Sequence, residues 1–188
     1  MNQEAQPRPR IMVVDDNVDF LNGIELTLQM EGFEVVRAAS GQEALQILEQ
    51  AFHRQMQASD PAARYLPDLI VADIMMPGLD GYALYEEISN NPYLAHIPFI
   101  FLTAKTEAED IRKGKQLGVD DYLTKPFSPE DLLATIRGKL RRVEQQRTLA
   151  EQFTGEPDKS PALILALVII GLLLAIGAGI GYWLSNFF

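Results

Sequence analysis

The sequence contains no cysteine, which excludes disulfide bonds, thiol catalysis and cysteine-based zinc sites. It has two histidines, His53 and His96, and neither has a partner at the spacing of a metal site or a catalytic triad. Basic residues are in deficit, because 16 Lys and Arg face 26 Asp and Glu and the net charge is −10. This balance disfavours general binding to nucleic acid, which depends largely on neutralising phosphates.

Charge is also missing from the end of the chain. Residues 161–188 contain no Asp, Glu, Lys, Arg or His, and residues 162–184 form a nearly unbroken apolar run. A run of this length can cross a bilayer as a helix, so we expect a single transmembrane tail anchor at 161–188. A buried core helix is the alternative, but such a helix normally shows a polar stripe. The N-terminus lacks the apolar segment of a signal peptide.

Between these ends, short apolar runs alternate with segments of helical periodicity. The alternation predicts an α/β domain, a doubly wound five-stranded parallel sheet with five helices. In order along the chain we expect a flexible N-terminus at 1–9, this domain at 10–150, a polar linker at 151–160 and the tail anchor at 161–188. The strands are predicted at 10–14, 33–37, 69–72, 97–102 and 119–124.

Polar residues stand where four of the predicted strands end: Asp15 and Asp16, Asp73, Thr103, and Lys125. The carboxyl ends of parallel strands meet at one edge of a sheet, where ligands bind. Clustered carboxylates suit Mg²⁺, and a hydroxyl and an ammonium beside them suit the oxygens of a phosphoryl group. Asp73 is then free to act as a nucleophile. Each residue alone also has an ordinary interpretation, as a helix cap, a turn residue or a solvated charge.

Separated motifs in one consistent order resemble the receiver domain of two-component response regulators. The motifs are VVDD at 13–16, LIVADIMMPGLDG at 69–81, FLTA at 101–104 and GVDDYLTKPF at 118–127. The resemblance covers residues 9–145 and is nearest to receivers of winged-helix transcription factors. It implies a flavodoxin-like sheet with strand order 2-1-3-4-5.

The resemblance also implies a role for each residue at the strand ends. Asp73 is the expected phosphoacceptor, and Thr103 and Lys125 are expected to contact the phosphoryl group. The bond before Pro126 is expected to be cis. The expected cofactor is Mg²⁺, held by Asp15, Asp16, Asp73 and the backbone carbonyl of Met75.

A switch follows from the same resemblance. The Thr103 hydroxyl moves toward phosphorylated Asp73, the ring of Tyr122 enters the space left behind, and the surface of the fourth helix, fifth strand and fifth helix changes. That surface, or the membrane helix through Gly177 and Gly181, is a candidate homodimer interface. Candidate contacts on it are Asp120 or Asp121 against Arg137 or Arg141.

We expect no DNA-binding domain after the receiver, because the apolar tail takes its place. Basic residues precede the tail and none follow it, which predicts a single-pass protein of the cytoplasmic membrane with its receiver in the cytoplasm.

The function expected is a membrane-anchored receiver that accepts a phosphoryl group from a sensor histidine kinase or phosphotransfer protein. It would signal through protein contacts and act as an enzyme on no other substrate. The alternatives are a phosphate sink or relay intermediate, and a pseudo-receiver that binds partners without phosphorylation.

Overall fold

A computed structural model describes residues 8–60, 63–104 and 121–153 of the chain. The chain divides into two compact units, one up to Glu144 and one from Gln145 onward. The sheet, its core and the candidate site all belong to the first unit. No helix in the three described ranges is long and apolar enough to cross a membrane, and the span expected at 161–188 lies outside those ranges.

The sheet has five parallel strands in the order 2-1-3-4-5, as the resemblance implied. β1 and β3 are buried along almost their whole length because helices cover both faces, which explains their continuous apolar runs. Strand bounds differ from the predicted ones by up to about three residues. The strands are β1 Arg10–Val14, β2 Glu34–Ala38, β3 Leu69–Asp73, β4 Phe99–Ala104 and β5 Tyr122–Lys125.

Four helices lie in the described ranges: α1 Val18–Met30, α2 Gly41–Gln57, α3 Gly81–Asn90 and α4 Pro129–Phe153. A further helix predicted at 106–117 falls outside these ranges. Ser40 and Glu43 predict a capping box for α2: the Ser40 side chain accepts from the Glu43 amide, but Glu43 accepts from the amide of Ala39, one residue before the cap. Ser128 and Asp131 form the fully reciprocal pair before α4, in which each side chain accepts from the other residue's backbone amide.

Two residues of α1 differ from the expected pattern. Leu21, Ile24 and Leu28 are buried, but Val18 and Met30 are 53% and 79% exposed. Met30 lies about 200° around the helix from Leu28 and so points away from the buried stripe, and Val18 is the first residue of the helix. The helix ends at Glu31 as its C-cap, and the expected capping glycine, Gly32, follows with a φ of 85°.

The two faces of the sheet carry different cores. The face covered by α2 and α3 is rich in aromatic rings, with Phe99 and Phe101 on β4 packed against Tyr82 and Tyr85 of α3. The face covered by α1 and α4 is mainly aliphatic; its buried members include Ile11, Val13, Leu21, Ile24, Leu28, Ile100, Leu102, Leu132 and Ile136.

Candidate functional site

The sheet register brings the polar strand ends to one edge. Val14 pairs with Ala72 and Asp73 pairs with Leu102, so β1, β3 and β4 end side by side. Thr103 pairs with Thr124 on β5, directly before Lys125. Residues more than 100 positions apart in the chain therefore meet, as the predicted topology requires.

Three carboxylates form a cluster at this edge. Oxygens of Asp15, Asp16 and Asp73 all lie within 4.8 Å of one another. Asp15 is 1% exposed and Asp73 is 8% exposed, whereas Asp16 is open to solvent. The first helix is capped by the side chain of Asn17, which accepts from the Phe20 amide, so neither aspartate is its N-cap. The backbone N–H of Asn17 in turn donates to Asp15 Oδ1 at 2.9 Å and orients that carboxylate.

The Lys125 ammonium lies among the carboxylates. Its Nζ donates to Asp15 Oδ2 at 2.7 Å and lies 3.1 Å from Asp73 Oδ1. The ring of Phe20 lies on another side of the same ammonium, with its centroid 4.2 Å from Nζ. Sequence reasoning missed Phe20, because no motif marks a ring at this position in the first turn of α1.

The pKa of Asp73 is raised above its usual value. Burial is the main cause, and the negative charge of Asp15 adds to it, while the charge and hydrogen bond of Lys125 oppose it only in part. By composition, three carboxylates share this site with a single ammonium among the residues that the structure describes. A cation that binds next to Asp73 would stabilise the ionised form of this buried carboxyl group.

The cluster fits the divalent cation that the sequence predicts. Carboxylate oxygens from three residues converge, and hard oxygen donors are the ligands that Mg²⁺ prefers. The burial of Asp15 and Asp73 adds to this fit, because a bound cation offsets the cost of keeping two carboxylates away from water. Asp15, Asp16 and Asp73 are the side chains that would hold it, and exposed Asp16 leaves the approach open to solvent.

The other predicted residues lie on β3, β4 and β5 or directly after them. Thr103 is 2% exposed at the end of β4, and its hydroxyl donates to the Ala104 carbonyl at 3.2 Å. Tyr122 is half-buried, with its ring stacked on Phe101 at a centroid distance of 5.6 Å. The side chain of Met75 is exposed, and the bond between Lys125 and Pro126 is cis.

Glycine at position 81 allows α3 to begin against the backbone of the candidate phosphoacceptor. A Cβ at Gly81 would lie 2.3 Å from the carbonyl oxygen of Asp73 and 2.9 Å from the Cα of Ile74. The Gly81 amide also donates to the Ile74 carbonyl at 3.0 Å. The glycine is therefore needed for close approach, a role that its interpretation as a turn residue missed.

Comparison with known proteins agrees with this geometry. The response regulator receiver domain family matches residues 11–137. The chain belongs to the response regulator receiver family. A probable transcriptional regulator, ycf27, of Cyanophora paradoxa is 41% identical to this receiver chain over 149 residues, which cover 79% of it and 55% of the relative. The DNA-binding dual master transcriptional regulator RpaA of Synechocystis is 36% identical over 137 residues, covering 73% and 51%.

Solved receiver structures share the fold. The chemotaxis protein CheY4 of Vibrio cholerae superposes with a TM-score of 0.57 at 29% identity, covering 71% of this chain and 99% of that one. A CheY-like receiver domain protein of Methanospirillum hungatei gives 0.62 at 28% identity, covering 74% and 99%. The chain spans about half the length of the curated relatives it matches but nearly all of these single receivers.

At the other end of β5, just before its first residue, lies a half-buried carboxylate with cationic partners. Asp121 accepts from Lys139 and, at 2.6 Å, from Arg142, both on α4. Burial acts to raise the pKa of Asp121, but these hydrogen bonds and charges outweigh it and the pKa is lowered. Asp121 and Arg137 were candidate dimer contacts, yet within this chain Asp121 pairs with α4 and Arg137 pairs with Glu31 at 2.5 Å.

Proposed function

We propose that this receiver accepts a phosphoryl group on Asp73 from a sensor histidine kinase or a phosphotransfer protein. The observation that carries the proposal is the Lys125 ammonium, which contacts both Asp15 and Asp73 of the three-carboxylate cluster. Members of the family share this set of side chains, and here the sheet register brings them together without any change of structure.

The proposed transfer uses Asp73 as the nucleophile. One of its carboxylate oxygens attacks phosphorus, an O–P bond forms, and the P–N bond to the donor imidazole breaks with its electron pair leaving on nitrogen. Lys125 offsets charge on the phosphoryl oxygens, and the buried position of Asp73 limits the water around the product. Mg²⁺, when bound by the three aspartates, supplies further neutralisation of phosphoryl charge.

The proposed response uses Thr103 and Tyr122. The hydroxyl of Thr103 now donates to its neighbouring carbonyl, a weak local bond that a phosphoryl oxygen on Asp73 can replace. Tyr122 packs on Phe101 of β4, the strand that also carries Thr103. A shift of β4 would therefore move the surface on which the Tyr122 ring rests. We propose that phosphorylation shifts the population between two such packings and changes the surface around β5.

The output and location of the protein are part of the proposal. The uncharged residues 161–188 support a single-pass anchor in the cytoplasmic membrane, with the receiver in the cytoplasm and signalling by protein contacts there. Homodimer formation through the β5 surface or the tail is one form of that output. Control of transcription belongs to the relatives as named, and this chain matches about half of their length. We propose no reaction on any other substrate.

Phosphorylation of the full-length chain by acetyl phosphate tests the central proposal. Intact mass should show one phosphoryl adduct that requires Mg²⁺ and is absent in Asp73→Asn. Asp19→Asn is the matched control, because Asp19 is an exposed carboxylate in the first turn of α1 outside the cluster. No adduct on the wild type would favour the pseudo-receiver, and loss of the adduct within seconds, with no partner capture, would favour the phosphate sink or relay.

Membrane anchoring is tested separately. The full-length chain should float with phospholipid vesicles and resist extraction at alkaline pH, whereas a chain ending at residue 160 should do neither. Equal behaviour of the two chains would contradict the anchor and leave the phosphorylation proposal unchanged.

A further inference from the structure

A half-buried aromatic ring stands against the lysine of the site. The centroid of Phe20 lies 4.2 Å from Lys125 Nζ, within the range of a cation–π contact. Phe20 belongs to the first turn of α1, whose start is fixed by the Asn17 cap. The ring, the lysine and the carboxylates therefore come from different elements that meet at the site.

The ring is held in place from behind. Phe127, two residues after Lys125, meets Phe20 edge-to-face, with centroids 5.8 Å apart and an angle of 71°. Both rings pack on the aliphatic core under α1 and α4. One edge of the Phe20 ring is thus supported by the protein interior while its face is presented to the ammonium, and this arrangement fixes the ring without help from any carboxylate.

The ammonium needs such a fixed neighbour. Lysine carries its charge on a flexible four-carbon stem. In the described state its anionic neighbours are Asp15 and Asp73, the same carboxylates that are proposed to hold the metal and accept the phosphoryl group. When those oxygens take up their other roles, a ring face still favours a cation at this point, because its attraction does not depend on a titrating group.

We propose that Phe20 is a positioning residue for Lys125, holding the ammonium over the site through its ring face. The proposal rests on the phosphoacceptor function of Asp73 and adds to it a residue outside the family motifs. Phe20 touches neither the metal ligands' oxygens nor the phosphoryl group in this account, and it acts through the lysine alone.

Substitutions at Phe20 distinguish a role for the aromatic ring face from a role for apolar bulk alone. In the full-length chain, Phe20→Leu keeps apolar bulk without the ring, and Phe20→Tyr restores the ring. With acetyl phosphate and Mg²⁺, the maximal phosphorylation rate of Phe20→Leu should be roughly three- to tenfold below that of the wild type. The rate of Phe20→Tyr should stay close to the wild-type rate, because this variant keeps a ring. Mg²⁺ affinity, measured by calorimetry, should be the same in all three proteins because the carboxylates are unchanged.

Phe52→Leu is the matched control, because Phe52 is also half-buried but stacks on Tyr93 away from the site, at a centroid distance of 4.8 Å. Any of three results would overturn the inference: a wild-type rate in Phe20→Leu, a rate in Phe20→Tyr as low as that of Phe20→Leu, or a rate in Phe52→Leu as low as that of Phe20→Leu.

A second readout does not require phosphorylation. In the lysine-labelled full-length chain, the Cε protons of Lys125, assigned with Lys125→Arg, should show an upfield ring-current shift in the wild type and in Phe20→Tyr. Phe20→Leu should lose that shift. If the wild type gives no adduct but the shift is present, the phosphoacceptor proposal fails and the ring contact stands. If the shift is the same without the ring, the positioning role fails whatever the adduct shows.

Discussion

Two aspartates of this receiver, buried Asp73 and half-buried Asp121, each contact a lysine, yet their pKa values move in opposite directions. At Asp73, burial raises the pKa, and the charge of Asp15 raises it further, because both carboxylates share the single ammonium of Lys125. At Asp121, burial acts in the same direction but is outweighed by two cations. Asp73 is the more deeply buried of the two and shares one cation with a second carboxylate, whereas Asp121 has two cations of its own.

The difference separates a reactive site from a structural tie. Asp121, with Lys139 and Arg142, is locally satisfied and joins β5 to α4. Asp73 lies in a cluster with too little positive charge, which costs stability in the metal-free state and favours binding of a divalent cation and a phosphoryl group. Substitutions at each region should therefore have opposite consequences.

The largest effect is expected from exchanging the lysines for alanine. Lys125→Ala should lower the phosphorylation rate with acetyl phosphate by about 100-fold, because a preorganised cation is lost from the reacting oxygens. Lys139→Ala, the control from the other region, should leave that rate unchanged and lower only stability. Similar rates for the two variants would remove the functional contrast between the regions.

Next in size is the loss of the structural tie. Asp121→Asn should lower the free energy of unfolding by about 2 kcal/mol, because the side chains of Lys139 and Arg142 lose a charged acceptor that is 11% exposed. Urea unfolding at neutral pH measures it. A stability equal to that of the wild type would show that solvent already screens this cluster.

A smaller effect of opposite sign is expected at the site. Without metal at neutral pH, Asp73→Asn should raise the melting temperature by roughly 2–5 °C, because it removes a buried charge from a cluster short of cations. Saturating Mg²⁺ should stabilise the wild type and reduce the difference in melting temperature between the two proteins. A fall in melting temperature would mean that the bond from Lys125 outweighs the cost of burial.

The smallest effects are those on the pH profile. The pKa of Asp121 in the folded state lies below the unfolded value of 3.8. Its contribution to the free energy of unfolding is therefore complete above pH 3.8 and is lost as the pH falls through the pKa of the folded state. The stability gap between wild type and Asp121→Asn should thus be constant from neutral pH to about pH 5 and narrow below pH 4.

The profile for Asp73 has the reverse sign. Its folded pKa lies above 3.8, so ionisation costs stability as pH rises through the interval between the two values. The advantage of Asp73→Asn over the wild type should therefore shrink as pH falls toward 4, measured by metal-free urea unfolding. Parallel profiles for the two aspartate variants would contradict the comparison.

Much of the fold could be predicted from local sequence. Arg10–Val14 and Leu69–Asp73 are short apolar runs closed by carboxylates, and a buried parallel strand leaves this signal. The capping pair at Ser40 and Glu43 is equally local. Because parallel strands share one carboxyl edge, the site residues followed from the strand assignments.

Contacts set by packing could not be predicted. The ring of Phe20 reaches Lys125 only because the start of α1 and the end of β5 meet at the carboxyl edge of the sheet, and nothing in the residues near Phe20 encodes that distance. Asp121 was a candidate contact on a partner surface, with Arg137 or Arg141, and only the packing of the chain shows that Lys139 and Arg142 pair with it.

The measurement that tests the central claim most directly is chemical mapping of the phosphorylated residue. The full-length chain is treated with acetyl phosphate and Mg²⁺, reduced with borohydride, digested and sequenced by mass spectrometry. An acyl phosphate on Asp73 is reduced to homoserine, so homoserine should appear at position 73 and be absent when Mg²⁺ is omitted. Homoserine at Asp15 or Asp16, or no conversion in a chain that carries the adduct, would contradict the assignment of Asp73 as the phosphoacceptor.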